Sequence, residues 1–159
     1  MVLASFLVAV HVMANLVWIG SIVSVAWLVA AAAKTQDASA ALLARSLYMR
    51  AAVPAFLVSF LAGSLRVALD FSNYMHLHWF HAKATTAIVV IALHHVIGAR
   101  AKKVAGAAGA AGAAAGASGP GAPVGSMQAG KSGGILGGAL LAFAFLTVVF
   151  VIFNRLIVP

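Results

Sequence analysis

Four long apolar segments constrain the fold of this 159-residue chain more than any other feature. They cover residues 3–33, 51–69, 78–99 and 135–157, and charged residues are rare within them. The hydrocarbon core of a bilayer is about 30 Å thick, so a helix needs about 20 apolar residues to cross it. The pattern therefore predicts an all-α integral membrane protein in which four helices form one transmembrane bundle.

The composition agrees with a membrane protein. Hydrophobic residues make up 64% of the chain and charged residues only 8%, whereas about a quarter of a soluble domain is charged. A net charge of +8 would indicate nucleic acid in a soluble protein. Here the cations lie between apolar segments, where they orient helices and face lipid headgroups, so we expect a lipid bilayer and no nucleic acid as partner. Cysteine is absent, which excludes disulfides and thiolate sites.

The cations also predict how the chain is oriented. Residues 34–50 and the borders of the third connection are basic, whereas residues 72–77 of the second connection carry no Lys or Arg. The positive-inside rule then places both termini outside, in a bacterial-type inner (plasma) membrane. Residues 104–130 are almost entirely Gly, Ala, Ser and Pro, which predicts a flexible cytoplasmic loop. The cations in question are Lys34, Arg45, Arg50, Arg100, Lys102, Lys103 and Lys131.

Polar residues in the first segment follow helical spacing. Positions i, i+4, i+7 and i+11 share one face, which we expect to point into the bundle. An unpaired imidazole inside a membrane is costly, so His11 is expected to have a functional partner. In the second segment Arg66 and Asp70 are four residues apart, which predicts an ion pair. The face of the first segment consists of His11, Asn15, Trp18 and Ile22.

The histidines are compatible with haem. Imidazoles on facing helices of a bundle commonly provide the axial ligands of haem iron. His11 and His81 are the pair that matches by depth. His95 falls near the helical face of His81, whereas His94 points away from that face.

Cations and methionines complete the list of candidates. Arg66 or Lys83 would bind the propionates of a porphyrin. Copper is the alternative metal, because His and Met suffice to hold it. Met75 and His76 would lie near the outer surface, and Met13 and Met49 are also available.

Taken together, the motifs resemble the HemJ-type membrane protoporphyrinogen oxidases and their wider CopD-like relatives. The resemblance covers roughly residues 3–100 and depends on the order and spacing of the motifs. They are His11, Trp18 and Gly20 in the first segment, Pro54 and Gly63 in the second, and Trp79, His81, Lys83 and His94–His95 in the third.

The resemblance implies a function as well as a fold. HemJ-like proteins bind haem b and oxidise protoporphyrinogen IX to protoporphyrin IX, and such a reaction needs an electron acceptor, for which quinone or another redox partner is expected. On this reading Lys83 and Arg66 are the catalytic candidates and His11 and His81 the iron ligands. The residues expected to contact the cofactor are His11, Trp18, His81 and His95.

The chain also departs from that family. Residues 24–30 lack the basic residues and proline usual after the first helix, and residues 132–138 lack an Asn-Glu-x-Pro segment. Three functions stay open: a haem-binding protein with or without oxidase activity, a CopD-like copper-handling protein, and a small membrane subunit whose histidines are structural. Small residues in the fourth segment would allow packing inside the bundle or in a homo-oligomer. These are Gly133, Gly134, Gly137, Gly138 and Ala142.

Overall fold

Helices make up nearly all of the structure, a computed structural model that describes residues 2–118. The all-α prediction is confirmed, since the described residues contain no strand. The predicted fourth span, residues 135–157, and residues 119–130 of the predicted loop lie outside the described residues. The elements are α1 (Val2–Thr35), α2 (Ala38–Leu47), a π-helical turn (Tyr48–Ala52), α3 (Val53–Ala68), α4 (Phe71–Met75) and α5 (His78–Ser118).

Within residues 2–118, three helical units are long and apolar enough to cross a membrane. They are α1, the continuous unit Ala38–Ala68, and α5 over His78–Ala114. At 1.5 Å per residue, the 34 residues of α1 extend about 51 Å and the 41 residues of α5 about 62 Å. Both lengths exceed the hydrocarbon core of about 30 Å. The fold is consistent with a membrane protein in which α1 and α5 continue beyond the core.

The connection between α1 and α2 is much shorter than the basic segment 34–50 that the sequence predicts as a loop. Gln36 has a left-handed backbone (φ 56°), which ends α1. Asp37 then caps α2, because its carboxylate accepts hydrogen bonds from the backbone N–H groups of Ser39 (2.8 Å) and Ala40 (3.3 Å). The Ser39 hydroxyl and these two N–H groups lower the pKa of Asp37.

The π-helical turn has a local cause. The N–H of Val53 bonds to the carbonyl of Tyr48, five residues earlier. Pro54 follows at the start of α3, has no N–H, and in a regular α-helix its ring would clash with the carbonyl four residues earlier, that of Arg50. The wider turn accommodates the proline, and the helical unit continues through it.

Helix α5 continues where the sequence predicts a flexible loop. Residues 104–118 are helical, so the structure differs from the prediction over this part of 104–130. Each glycine costs about 1 kcal/mol relative to alanine in a helix, but alanine predominates here. Burial supplies the remaining stabilisation, since Ala101, Val104 and Ala108 belong to the buried core.

The core lies where α1, α2 and α5 meet, and it consists mainly of small and β-branched residues. Such residues allow helix backbones to approach closely. The predicted inward face of α1 is confirmed, because Trp18 and Ile22 are buried and His11 and Asn15 are half-buried. The core includes Ile22, Val25, Ala26, Val29, Ala32, Ala41, Ala44, Ile97, Ala101 and Val104.

Candidate functional site

Two groups of hydrogen-bonded side chains lie inside the bundle, and each is centred on a histidine. We call them the His11 cluster (His11, Asn15 and Ser59) and the His94 cluster (Trp18, Tyr48 and His94). Helix α1 contributes to both, and the seven residues from His11 to Trp18 correspond to about 10 Å along its axis. The His11 cluster is nearer the end where α1 begins.

In the His11 cluster the neighbours determine which ring nitrogen carries the hydrogen. His11 Nδ1 lies 2.8 Å from the backbone carbonyl oxygen of Ser59. A carbonyl only accepts, so Nδ1–H donates and Nε2 holds the lone pair. The amide nitrogen of Asn15 donates to this Nε2 at 3.0 Å. The Ser59 hydroxyl donates to Asn15 Oδ1 at 2.8 Å and lies 3.2 Å from His11 Nδ1, which closes the group.

Gly63 provides the space for this imidazole. It lies one turn after Ser59 on α3. A Cβ at position 63 would stand 2.8 Å from His11 Nδ1 and 2.9 Å from Cε1, so a side chain there would displace the ring. Gly63, from the motif in the second apolar segment, therefore contacts His11, from the motif in the first.

Lys83 introduces a positive charge near the same cluster. Its side chain is half-buried on α5 and lies within electrostatic range of the His11 imidazole. The chain has only two acids. Asp37 caps α2 and Asp70 pairs with Arg66, so in the described part of the chain neither neutralises Lys83. The ammonium is available for an anion from outside the chain.

The His94 cluster has the opposite tautomer. Trp18 Nε1–H donates to His94 Nδ1 at 3.0 Å. Indole only donates, so the imidazole hydrogen is on Nε2, which donates to the Tyr48 hydroxyl oxygen at 3.2 Å. The Phe56 ring stacks on His94 with centroids 5.0 Å apart. His94 is 1% exposed and both ring nitrogens are engaged, so it could bind a metal only by breaking one of these bonds.

A second glycine stands beside the His94 cluster. Gly98 follows His94 by one turn of α5, and a Cβ there would overlap with the Tyr48 ring. Tyr48 comes from the π-helical turn, so this contact joins that turn to α5. Both clusters thus have a glycine next to an aromatic or imidazole ring.

The structure places the other predicted histidines differently from the sequence prediction. His81 is exposed, and its Nε2–H donates to the backbone carbonyl of Met75 at 3.0 Å. No hydrogen bond or ring contact joins it to His11 among the described residues. His95 is exposed, whereas the buried position belongs to His94. The face of α5 that packs inward carries Val90, His94, Ile97 and Ala101, and it does not include His81.

Arg66 is engaged at the far end of α3. Its guanidinium lies 3.6 Å from a carboxylate oxygen of Asp70, so the predicted ion pair is confirmed. The same group lies 5.2 Å from the ring centroid of Tyr74. Arg66 would have to leave these partners to bind a propionate.

Sequence reasoning missed several members of the clusters. Ser59 is a polar residue in the middle of a largely apolar helix, four residues before Gly63, and this signal could have found it. Tyr48 lies in a segment that appeared to be a basic loop, and Phe56 has no distinguishing pattern. Their roles depend on which helices pack together.

The donor set determines which cofactors could fit. The described residues contain no group of three or more His, Cys, Asp or Glu side chains that could hold a metal ion. Haem needs only one or two axial ligands. The donor chemistry of His11 is compatible with this role, since the Ser59 carbonyl holds its Nδ1–H and its Nε2 carries a lone pair, which the Asn15 amide occupies in the structure.

Comparisons with known proteins identify no relative, so the function is inferred from the residues of the site. No protein-family model matches the chain. No similar curated protein or solved structure was found either.

Proposed function

We propose that the protein binds haem b in the membrane, as in the HemJ-type proteins that its motifs resemble, and that His11 would hold the haem iron. The orientation of His11 carries this proposal. Histidines that bind metals almost always donate their other ring N–H to a carbonyl, carboxylate or water. The Ser59 carbonyl holds His11 Nδ1–H in this way at 2.8 Å.

The cost of opening the ligand position is small. His11 Nε2 faces only the amide of Asn15, a side chain that can rotate. A hydrogen bond between side chains in a membrane protein contributes about 0.6 kcal/mol on average and at most about 1.7 kcal/mol. An iron–imidazole bond would readily replace it. His81 is the second ligand that the sequence suggested; it would have to release the Met75 carbonyl and turn from the exposed face of α5 to take part, so His11 carries the proposal.

Lys83 supports a porphyrin as the bound group. Porphyrins of this biosynthetic type carry propionates, and an ammonium without a protein anion would pair with one of them. Haem would supply one-electron redox chemistry. The proposed reaction is oxidation of protoporphyrinogen IX, with a quinone as the class of electron acceptor. In this proposal Lys83 orients the substrate or the haem through a propionate.

Copper handling of the CopD-like type is the second candidate, and one contact favours it. The hydrogen bond of His81 to the Met75 carbonyl brings an imidazole near a thioether-bearing residue, and the exposed His76 follows directly. Imidazole and thioether are suitable copper ligands.

A visible absorption spectrum of the purified protein, oxidised and then reduced with dithionite, tests the proposal. We expect a Soret band that shifts on reduction, and its loss in His11→Ala. His78→Ala is the matched control, because that imidazole is exposed, belongs to neither cluster and should leave the spectrum unchanged. A featureless spectrum from cells supplied with haem would contradict the proposal, and copper in the same sample would favour the alternative.

Activity is tested separately from binding. Porphyrin fluorescence should rise when the haem-loaded protein is incubated anaerobically with protoporphyrinogen IX and a quinone. Lys83→Gln should raise the KM for the porphyrinogen more than it lowers kcat. A protein that binds haem but forms no porphyrin would be a haem-binding relative without oxidase activity.

A further inference from the structure

The basic end of the bundle, where α1 ends, carries cations on α1, α2, the π-helical turn and α5. Among the described residues its only acid is Asp37, whose carboxylate is engaged in capping α2. Positive groups at the border of a membrane attract anionic lipid headgroups, at about 1 kcal/mol for each Lys or Arg. The cations at this end are Lys34, Arg45, Arg50, Arg100, Lys102 and Lys103.

Two of these cations flank one seam between helices. The Arg45 guanidinium lies 5.8 Å from the ring centroid of Tyr48, on the α2 side. The Tyr48 ring packs against Gly98 on the α5 side. Lys102 follows Gly98 by four residues, so it lies one turn further along the same side of α5, and it is exposed. Arg45 and Lys102 therefore lie on the two borders of the seam that Tyr48 closes.

Apolar residues accompany Arg45 along its helix. Leu42, Arg45 and Met49 follow i, i+3 and i+7 spacing, which places them on one face. Leu42 is 53% exposed and Met49 is 47% exposed. A cation between two exposed apolar side chains matches a ligand with a charged group and a hydrocarbon chain. An acidic protein segment would match the charge but not these apolar neighbours.

We propose that one anionic phospholipid binds at the seam between α2 and α5, with its phosphate held by Arg45 and Lys102 and an acyl chain against Met49. Arginine binds phosphate through paired N–H donors, and lysine adds a mobile point charge. The alanines of α2 and α5 allow the two helices to pack closely behind the headgroup. This site does not depend on the proposed haem.

Native mass spectrometry of the protein in mild detergent tests the proposal with two lipids that share acyl chains, palmitoyl-oleoyl phosphatidylglycerol and phosphatidylcholine. One phosphatidylglycerol should be retained, at least tenfold more tightly than phosphatidylcholine. Equal retention of the two lipids would overturn the proposal. Inorganic phosphate at millimolar concentration should not displace the lipid, and displacement would indicate a site for small anions instead.

Variants locate the site. Arg45→Gln combined with Lys102→Gln should weaken retention of phosphatidylglycerol at least tenfold. The matched control is Arg50→Gln combined with Lys103→Gln, which removes the same charge from exposed positions of α5 and of the π-helical turn that follows α2, and it should change retention less than threefold. Equal loss in both double variants would show a diffuse charge effect and overturn the proposal.

A charge-retaining variant keeps the test valid if the first double variant does not fold. Arg45→Lys combined with Lys102→Arg preserves both charges and should retain phosphatidylglycerol within threefold of the unmodified protein. Tenfold loss in that folded variant would contradict binding through these two cations. Displacement of the lipid by poly-glutamate would identify an acidic protein segment as the ligand and overturn the lipid proposal.

Discussion

His11 and His94 both lie inside the bundle, yet they are held in opposite ways. His11 carries its hydrogen on Nδ1 and is half-buried, and its Nε2 meets only a side chain of its own helix. His94 carries its hydrogen on Nε2 and is fully enclosed, with one nitrogen bonded to α1 and the other to the π-helical turn. Burial alone therefore does not identify a metal ligand. Whether a ring nitrogen can exchange its hydrogen-bond partner for a metal ion also matters.

The physical roles follow from the number of elements that each imidazole joins. Opening His11 Nε2 breaks one bond within α1, and the ring stays attached to α3 through Ser59. Removing His94 separates Trp18 and Tyr48 from their common partner and leaves a hole beside Phe56. We interpret His94 as a structural connection among three helices and His11 as a candidate ligand.

The largest expected effect is on stability in His94→Ala. The change leaves the Trp18 indole N–H without its partner and opens a cavity, so we expect a loss of about 2–4 kcal/mol in the free energy of unfolding. Reversible unfolding in mixed detergent and dodecyl sulfate measures it. His11→Ala should cost less than half as much, and equal losses would refute the distinction between the two histidines.

Gly98→Ala should be the next largest change. The added Cβ overlaps with the Tyr48 ring, so the ring or α5 must move, and such overpacking costs about 1–3 kcal/mol. The same unfolding titration measures the loss. Gly106→Ala on the same helix is the control, because a Cβ there meets nothing within 4 Å and should be neutral or stabilising. Equal behaviour of the two variants would rule out the Tyr48 contact.

Gly63→Ala separates the ligand role from the structural role of His11. The new Cβ would displace the imidazole, so we expect about tenfold weaker haem binding, equivalent to about 1.4 kcal/mol. Haem titration followed at the Soret band measures this change. Gly20→Ala adds a methyl group into open space on α1 and should leave the titration unchanged. A normal haem affinity in Gly63→Ala would argue against His11 as the ligand.

The smallest effect concerns the cap of α2, outside both clusters. The pKa of Asp37 is lowered by hydrogen bonds from the Ser39 hydroxyl and from the N–H groups of Ala40 and Ser39. A carboxylate whose pKa is lower in the folded state stabilises the fold at pH values above its ordinary pKa of 3.8. This stabilisation is lost as the pH falls through the lowered pKa.

Thermal unfolding followed by circular dichroism between pH 6 and pH 2 measures that loss. Asp37→Asn keeps an oxygen acceptor but does not titrate, so its Tm should fall less than that of the unmodified protein over the same range. Parallel curves would mean that the cap carboxylate does not contribute to the acid sensitivity.

Features within one helix could be predicted from the sequence, whereas those that depend on helix pairing could not. The spacing of His11, Trp18 and Ile22 identified the inward face of α1, because helical periodicity is local. The sequence favoured His95 over His94 as a cofactor contact, which stays a prediction; that the structure buries His94 and exposes His95 depends on which face of α5 packs inward, and His81 lies outside that face. The helical part of residues 104–118 was missed because glycine content was weighed without the packing of Ala101 and Ala108.

The π-helical turn also determines how far α2, before Pro54, is rotated about the helix axis relative to α3. Such a turn is equivalent to a one-residue insertion in an α-helix, and one residue corresponds to about 100° of rotation. Deleting one residue between 48 and 52 would thus turn α2 about its axis and direct Ala41 and Ala44 away from the core. The fold should tolerate substitutions at the exposed Met49 and Arg50 while being intolerant of any change in the length of this segment.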